Sequence, residues 1–197
     1  MIHSHRMHLV HAPHRWYSLE EEEHGVNQLR VIGGVCDCCL KAGMQFYGGV
    51  DSVSVNAQSY SSSSSLESLG ISMHPVKNIE IAELIKVVEN AHRYLQIAFA
   101  EDLYLYCQAS SINFPGLRDA LIAKWNVNIL EPRDGIGGHC LPKDTKMFLR
   151  SSNLSKSKIL IATMDVDQDY KRFRTKPEKQ IESATIEHVG IPKSRRL

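Results

Sequence analysis

No apolar run in the 197 residues approaches the ~18 that a membrane-spanning helix needs. The His-rich start also lacks the apolar stretch of about 7–15 residues that marks a secretory signal. A membrane span is excluded on this reading, and the cytoplasm is the expected location. An excess of charge of one sign is missing too: 23 basic side chains face 22 acidic ones. Without a whole-protein field, neither nucleic acid nor an anionic membrane is an expected partner, and any anionic ligand must be held locally. Cysteine is scarce and odd in number, five in all, with three crowded at Cys36, Cys38 and Cys39. That geometry suits no disulfide framework and fits a reducing compartment. What is present is ordinary globular composition, 43% hydrophobic and 23% charged with a mean hydropathy of −0.25. The length suits one compact unit plus extra segments.

Organisation changes several times along the chain. His3, His5, His8, His11 and His14 precede the acidic run Glu20 to Glu23, a composition of surface loops. Scattered histidines do not guarantee converging ligands, and CxCC lacks the paired CxxC spacing of a structural zinc site, so inert thiols and no metal are expected. Met7 to Val10 and Leu29 to Val35 read as short strands, the second ending in Gly33 and Gly34 and feeding a turn and a helix through Phe46. Ser59 and the unbroken Ser61 to Ser65 lie in a low-complexity stretch, Asp51 to Leu69, expected to be a mobile linker.

Ile79 through about Cys107 carries the strongest period: Ile81, Leu84, Ile85, Val88, Ala91, Leu95, Ala98 and Phe99 recur at spacings of three and four. Such a helix is roughly 40 Å long, more than one small domain covers, so part of its apolar face is expected to meet a second copy. Pro115 to Lys124 and Lys143 to Leu149 read as helices, with Val127 to Leu130 a short extended piece between them. Beyond Tyr170 eight Lys or Arg stand against three Glu with sparse apolar residues, the composition of a solvated end. The expected fold class is mainly α with a small α/β N-terminal part, a long central dimerisation helix and shorter packed helices.

Chemistry concentrates between Glu131 and Thr145. Gly135, Gly137 and Gly138 permit positive φ and close approach of a ligand to main-chain amides. Pro142 suits the first turn of a helix, which places Cys140 near a helix N-terminus, where the dipole favours a reactive thiolate. Asp144, four residues on, then shares its face and has the chemistry to orient a water or accept a proton. Read on spacing alone, a glycine turn capping a helix beside an inert Cys is an equal alternative. Lys86 and Asn90 form a second i, i+4 pair, an ammonium and an amide suited to a developing oxyanion or else a solvated stripe.

Three segments together resemble the UDP-glucose/GDP-mannose dehydrogenase family, the nucleotide-sugar 6-dehydrogenases, with UDP-N-acetylmannosamine-type members nearest. They are Arg30 to Gly34, Ala82 to Ala91, and Gly135 to Asp144, the last being highly specific. The resemblance implies NAD-dependent oxidation of a UDP-sugar primary alcohol to a carboxylate through a thiohemiacetal and a thioester on one cysteine. By position Cys140 matches the nucleophile, Lys86 and Asn90 the oxyanion-steadying pair, and Asp144 the carboxylate of proton transfer and thioester hydrolysis. Gly135, Ile136, Gly137 and Gly138 match a loop beneath the sugar. It also implies a domain plan: residues 1–50 as a remnant of the NAD-binding α/β domain, 51–73 as the Ser-rich linker, 74–165 as the central helical dimerisation and catalytic domain, and 166–197 as a basic tail.

Departures accompany the likeness. No GxGxxG occurs, so the Gly-rich turn that seats the NAD pyrophosphate is missing. Pro13-His14 stands where the family often has Pro-Glu, Glu101-Asp102 where it has Asn-Glu, and too few residues follow Leu149 for a second nucleotide-binding domain. The expectation is therefore a fragment of the family without independent turnover, to which a partner chain could supply the nucleotide-binding half. The alternative is a dimerisation or interaction module of the same descent without catalysis.

Overall fold

The computed structural model describes residues 7–15, 29–48, 68–151 and 157–175. His3, His5, the Glu20 to Glu23 run, the serine run and residues 176–197 lie outside the described residues. Two compact units divide the chain, Met1–Glu89 and Asn90–Leu197. Among the described residues the architecture is mainly helical with one small sheet.

The first unit is an α/β piece. Strand β1 (Val10–His11) pairs antiparallel with β2 (Arg30–Gly34), which pairs parallel with β3 (Met73–Val76) in the order β1-β2-β3. Parallel neighbours require a crossover, and helix α1 (Asp37–Gly48) lies on it. Valine and isoleucine at the centre of β2 supply the β-branched, buried character of a strand covered by a helix: Ile32 is fully buried and packs with Met44, Ile71 and Met73. Gly43 permits this contact, since a Cβ there would stand 2.7 Å from Ile32 Cδ1 and 2.9 Å from a Val10 methyl. Each such buried side chain contributes roughly 1.5–3 kcal/mol.

Helix α2 (Ile79–Ala109) follows. It begins in the first unit and ends in the second, as the long period predicts. The second unit adds α3 (Phe114–Ile122), α4 (Cys140–Ser151) and α5 (Lys158–Thr175). Asn113 caps α3 by accepting the Gly116 amide at 2.7 Å, with Pro115 in the first turn. The core gathers Tyr94, Ala98 and Ile136 with Leu141, Met164 and Val166 around them. Tyr104 packs edge-on against Phe114, Tyr170 and Phe173 with ring centroids 5.4, 5.6 and 6.2 Å away.

Two elements differ from the sequence reading. Strand β1 starts at Val10 rather than Met7. Helix α5 runs on to Thr175, past the Tyr170 beyond which composition reads as a solvated end. Its buried positions are Leu160, Asp167 and Tyr170, so its inward face carries a carboxylate and a phenol that a hydropathy period does not register. No described helix is long and apolar enough to cross a membrane.

Candidate active site

The site of the second unit is built on the turn that leads into α4. Lys143 N–H donates to the His139 carbonyl at 3.3 Å, closing the first helical turn, and Pro142 within that turn gives up no needed donor. Cys140 is the first helical residue and is exposed. Asp144, one turn on, is buried with 5% of its surface accessible. Asn90 Nδ2 donates to its Oδ2 at 2.5 Å, and Lys143 Nζ stands 2.6 Å from its Oδ1. The Asp144 carboxylate in turn raises the Lys143 ammonium above its ordinary value through their hydrogen bond. Three of the sequence-predicted residues, Asn90, Cys140 and Asp144, are thus brought onto two neighbouring elements, with a fixed carboxylate on the helix that carries an accessible thiol.

The glycine loop before Cys140 is held from below by α5. Ile136 N–H donates to Asp167 Oδ1 at 2.8 Å, and Lys171 Nζ donates to the Ile136 carbonyl at 2.7 Å and to Asp167 Oδ2 at 2.8 Å. Tyr94 of α2 donates to the same Asp167 Oδ2 at 2.8 Å, while Tyr170 holds the Arg133 carbonyl at 2.7 Å. Burial, then the Asp167 hydrogen bond, pushes the Tyr94 phenol well above its usual range. Gly135 has φ +93°, and a Cβ there would meet the Lys171 chain at 2.5 Å, so any other residue is strained at that position. Gly137 and Gly138 face open space on the other side. The loop is rigid where α5 grips it and open where a ligand has room to enter.

Tyr94, Asp167, Tyr170 and Lys171 escape a sequence reading aimed at reactive residues. The one available signal was the i, i+4 spacing of Asp167 and Lys171, a helix-stabilising pair that also marks α5 as helical. Glu101 is fully buried, and neither of its carboxylate oxygens has a hydrogen-bond partner among the described residues. Burial first, then Asp167, pushes its carboxyl up to about 7, with Lys171 opposing.

Lys86 belongs to the first unit, on α2, half-buried. Close by, burial and the positive charges of Arg30 and Lys86 lower His14 below the usual imidazole value. Arg15 of the same segment forms an ion pair with Glu89 of α2 at 2.6 Å and caps the Leu29 carbonyl at 2.9 Å.

Residues 80–168 match the model of the central domain of the UDP-glucose/GDP-mannose dehydrogenase family. Through this segment the chain is similar to that family. The chain is 27% identical over 165 residues to a UDP-N-acetyl-D-mannosamine dehydrogenase of Campylobacter jejuni, a match covering 84% of this chain and 36% of the relative. To the UDP-N-acetyl-D-mannosamine dehydrogenase of Escherichia coli it is 36% identical over 98 residues, which is 50% of this chain and 23% of the relative. The solved structure of a UDP-D-ManNAc dehydrogenase from Pyrococcus horikoshii matches 84% of this chain and 35% of its own length with a TM-score of 0.66 at 22% identity, which shows a shared fold. The chain thus spans about a third of these relatives' length or less. The matched segment contains all of α2 from Glu80 on, the glycine loop, α4 and the part of α5 that includes Asp167.

Proposed function

We propose that this chain carries the thiol-bearing part of a nucleotide-sugar 6-dehydrogenase, acting on the primary alcohol of a UDP-N-acetylhexosamine in the cytoplasm. The observation that carries the reading is the exposed Cys140 at the start of α4 with Asp144 held one turn away by Asn90 and Lys143. NAD is the hydride acceptor that the family implies. The residues present do not fit it: the turn from β2 into α1 reads Gly33-Gly34-Val35-Cys36-Asp37, without the GxGxxG that seats a pyrophosphate on a helix N-terminus.

The chain's own residues perform the acyl chemistry. The Cys140 sulfur adds to the carbonyl carbon of the sugar aldehyde, forming a C–S bond while the carbonyl π pair becomes an oxyanion. Asn90 Nδ2 and the Lys86 ammonium are the donors proposed to meet that charge. At the thioester stage, Asp144 takes a proton from a water that attacks the acyl carbon, and the sulfur leaves as thiolate. The Gly137–Gly138 backbone, which faces open space, is the floor proposed for the sugar.

Along α2 the exposed Ile81, Leu84 and Val88 form an apolar row at helical spacing, and Phe99 and Tyr106 are exposed further on. This pattern supports a homodimer through that helix. The domain plan of a nucleotide-binding remnant to residue 50, a linker to 73, the central domain to 165 and a basic tail remains part of this proposal.

The test is NADH formation by the protein isolated with whatever chain it assembles with, given NAD and UDP-N-acetylmannosamine. Activity that is abolished by Cys140→Ser is expected. No activity from any such assembly contradicts the proposal and leaves the non-catalytic dimerisation module.

A further inference from the structure

The β1–β2 pairing brings together residues that the sequence keeps apart. Val10 faces Gly34 and His11 faces Gly33 in antiparallel register, and Val35 N–H donates to the Leu9 carbonyl at 3.3 Å, so the segment that precedes β1 is held beside the turn that follows β2. The chain then turns into α1, whose first turn carries Cys38 and Cys39. As a result the ligand atoms of His8, Cys38 and Cys39 all lie within 4.8 Å of one another, and Cys36 Sγ is 2.8 Å from Cys38 Sγ. The Cys39 amide donates to Cys36 Sγ at 3.4 Å. Cys39 is buried, Cys38 half-buried and His8 exposed, so the group is anchored on the protein side and open to an entering ion.

We propose that His8, Cys38 and Cys39, with Cys36 as fourth donor, bind a soft divalent cation of the zinc class. Three sulfurs and one imidazole are the donor set that Zn2+ takes in closed tetrahedral sites, and hard cations such as Mg2+ or Ca2+ find no oxygen ligand in it. Each ligating thiol releases its proton to solvent as the metal–sulfur bond forms, and His8 binds as neutral imidazole. The spacing CxCC does not show this by itself, because the completing histidine comes from the segment that precedes β1. The consequence is mechanical: β1 holds only two residues in the ladder, and the ion ties it to the start of α1. The site lies in the first unit and is independent of the proposed dehydrogenase chemistry.

The test uses the untagged full chain, reduced and stripped of metal, with Zn2+ and Co2+ as probes. One Zn2+ per chain is expected, with the half-buried Cys38 shielded from iodoacetamide as mapped by peptide mass. Co2+ is expected to give a thiolate-to-metal charge-transfer band that disappears in Cys38→Ser with Cys39→Ser, and His8→Ala to weaken Co2+ binding roughly tenfold or more. Absence of the band from the wild-type protein, persistence of the band in the double variant, or equal alkylation of Cys38 with and without Zn2+ overturns the proposal. The protection measurement needs no variant, so a variant that fails to fold does not obscure the result.

Discussion

Glu101 is the residue whose burial most directly sets a measurable property. Its carboxyl stands at about 7 in the folded chain against an ordinary 4.5, chiefly through burial, so the folded state holds the proton more tightly than the unfolded one. Its contribution to stability is therefore most favourable below about pH 4.5, declines as pH rises toward 7, and stays low above that, a loss of up to about 3 kcal/mol. Glu101→Gln is expected to remove this decline, raising the urea midpoint at pH 8 with little change at pH 5. An unchanged slope between the two pH values in the variant contradicts the assignment. Asp144 presents the opposite case, a buried carboxylate with both oxygens engaged. Asp144→Asn is expected to cost roughly 1–3 kcal/mol, since the Lys143 ion pair is lost and an amide replaces an acceptor. Gly135→Ala is expected to be worse than a surface change, about 2 kcal/mol or more, because φ +93° and the Lys171 chain both oppose a Cβ. Both values are read from urea unfolding. Types and i, i+4 spacings singled out Cys140, Asn90 and Asp144 without separating a reactive from an inert reading, and the family resemblance supplied the roles proposed for them. Glu101 was visible only as a change of residue type, because its meaning depends on burial.

At the scale of elements, α2 was legible almost to its ends, since apolar residues at spacings of three and four leave a periodic trace. The start of α4 was legible from Pro142 and the glycine turn. Helix α5 was not, because the residues it turns inward include Asp167 and Tyr170, which serve hydrogen bonds rather than apolar burial. Yet α5 grips the glycine loop through Asp167 and Lys171. Asp167→Asn is expected to destabilise the second unit by about 3 kcal/mol, since it strips the charge partner from Lys171 and weakens two further hydrogen bonds. Amide exchange at Ile136 and its loop neighbours should rise with it, and exchange that stays at the wild-type rate there contradicts the pinning role. The β1–β2 ladder shows the reverse limit of sequence reading. Two strand-like runs were visible, but not the register that carries His8 to the cysteines.

For the whole molecule, near-neutral charge and ordinary composition excluded partners without naming one, and the family reading rested on short motifs in order. The exposed Ile81, Leu84 and Val88 row gives the proposed homodimer a direct check. Leu84→Glu with Val88→Glu is expected to shift the light-scattering mass from dimer to monomer while helicity is kept, and a monomeric wild-type chain rules the dimer out. The central claim concerns the thiol. The decisive measurement is the rate at which iodoacetamide modifies each cysteine at neutral pH, with and without UDP-N-acetylmannosamine. Cys140 is exposed and Cys107 fully buried, so Cys140 is expected to react far faster and to be slowed by the sugar nucleotide in a saturable way. Equal slow rates at the two positions, or a Cys140 rate indifferent to the sugar nucleotide, contradict a preserved dehydrogenase site.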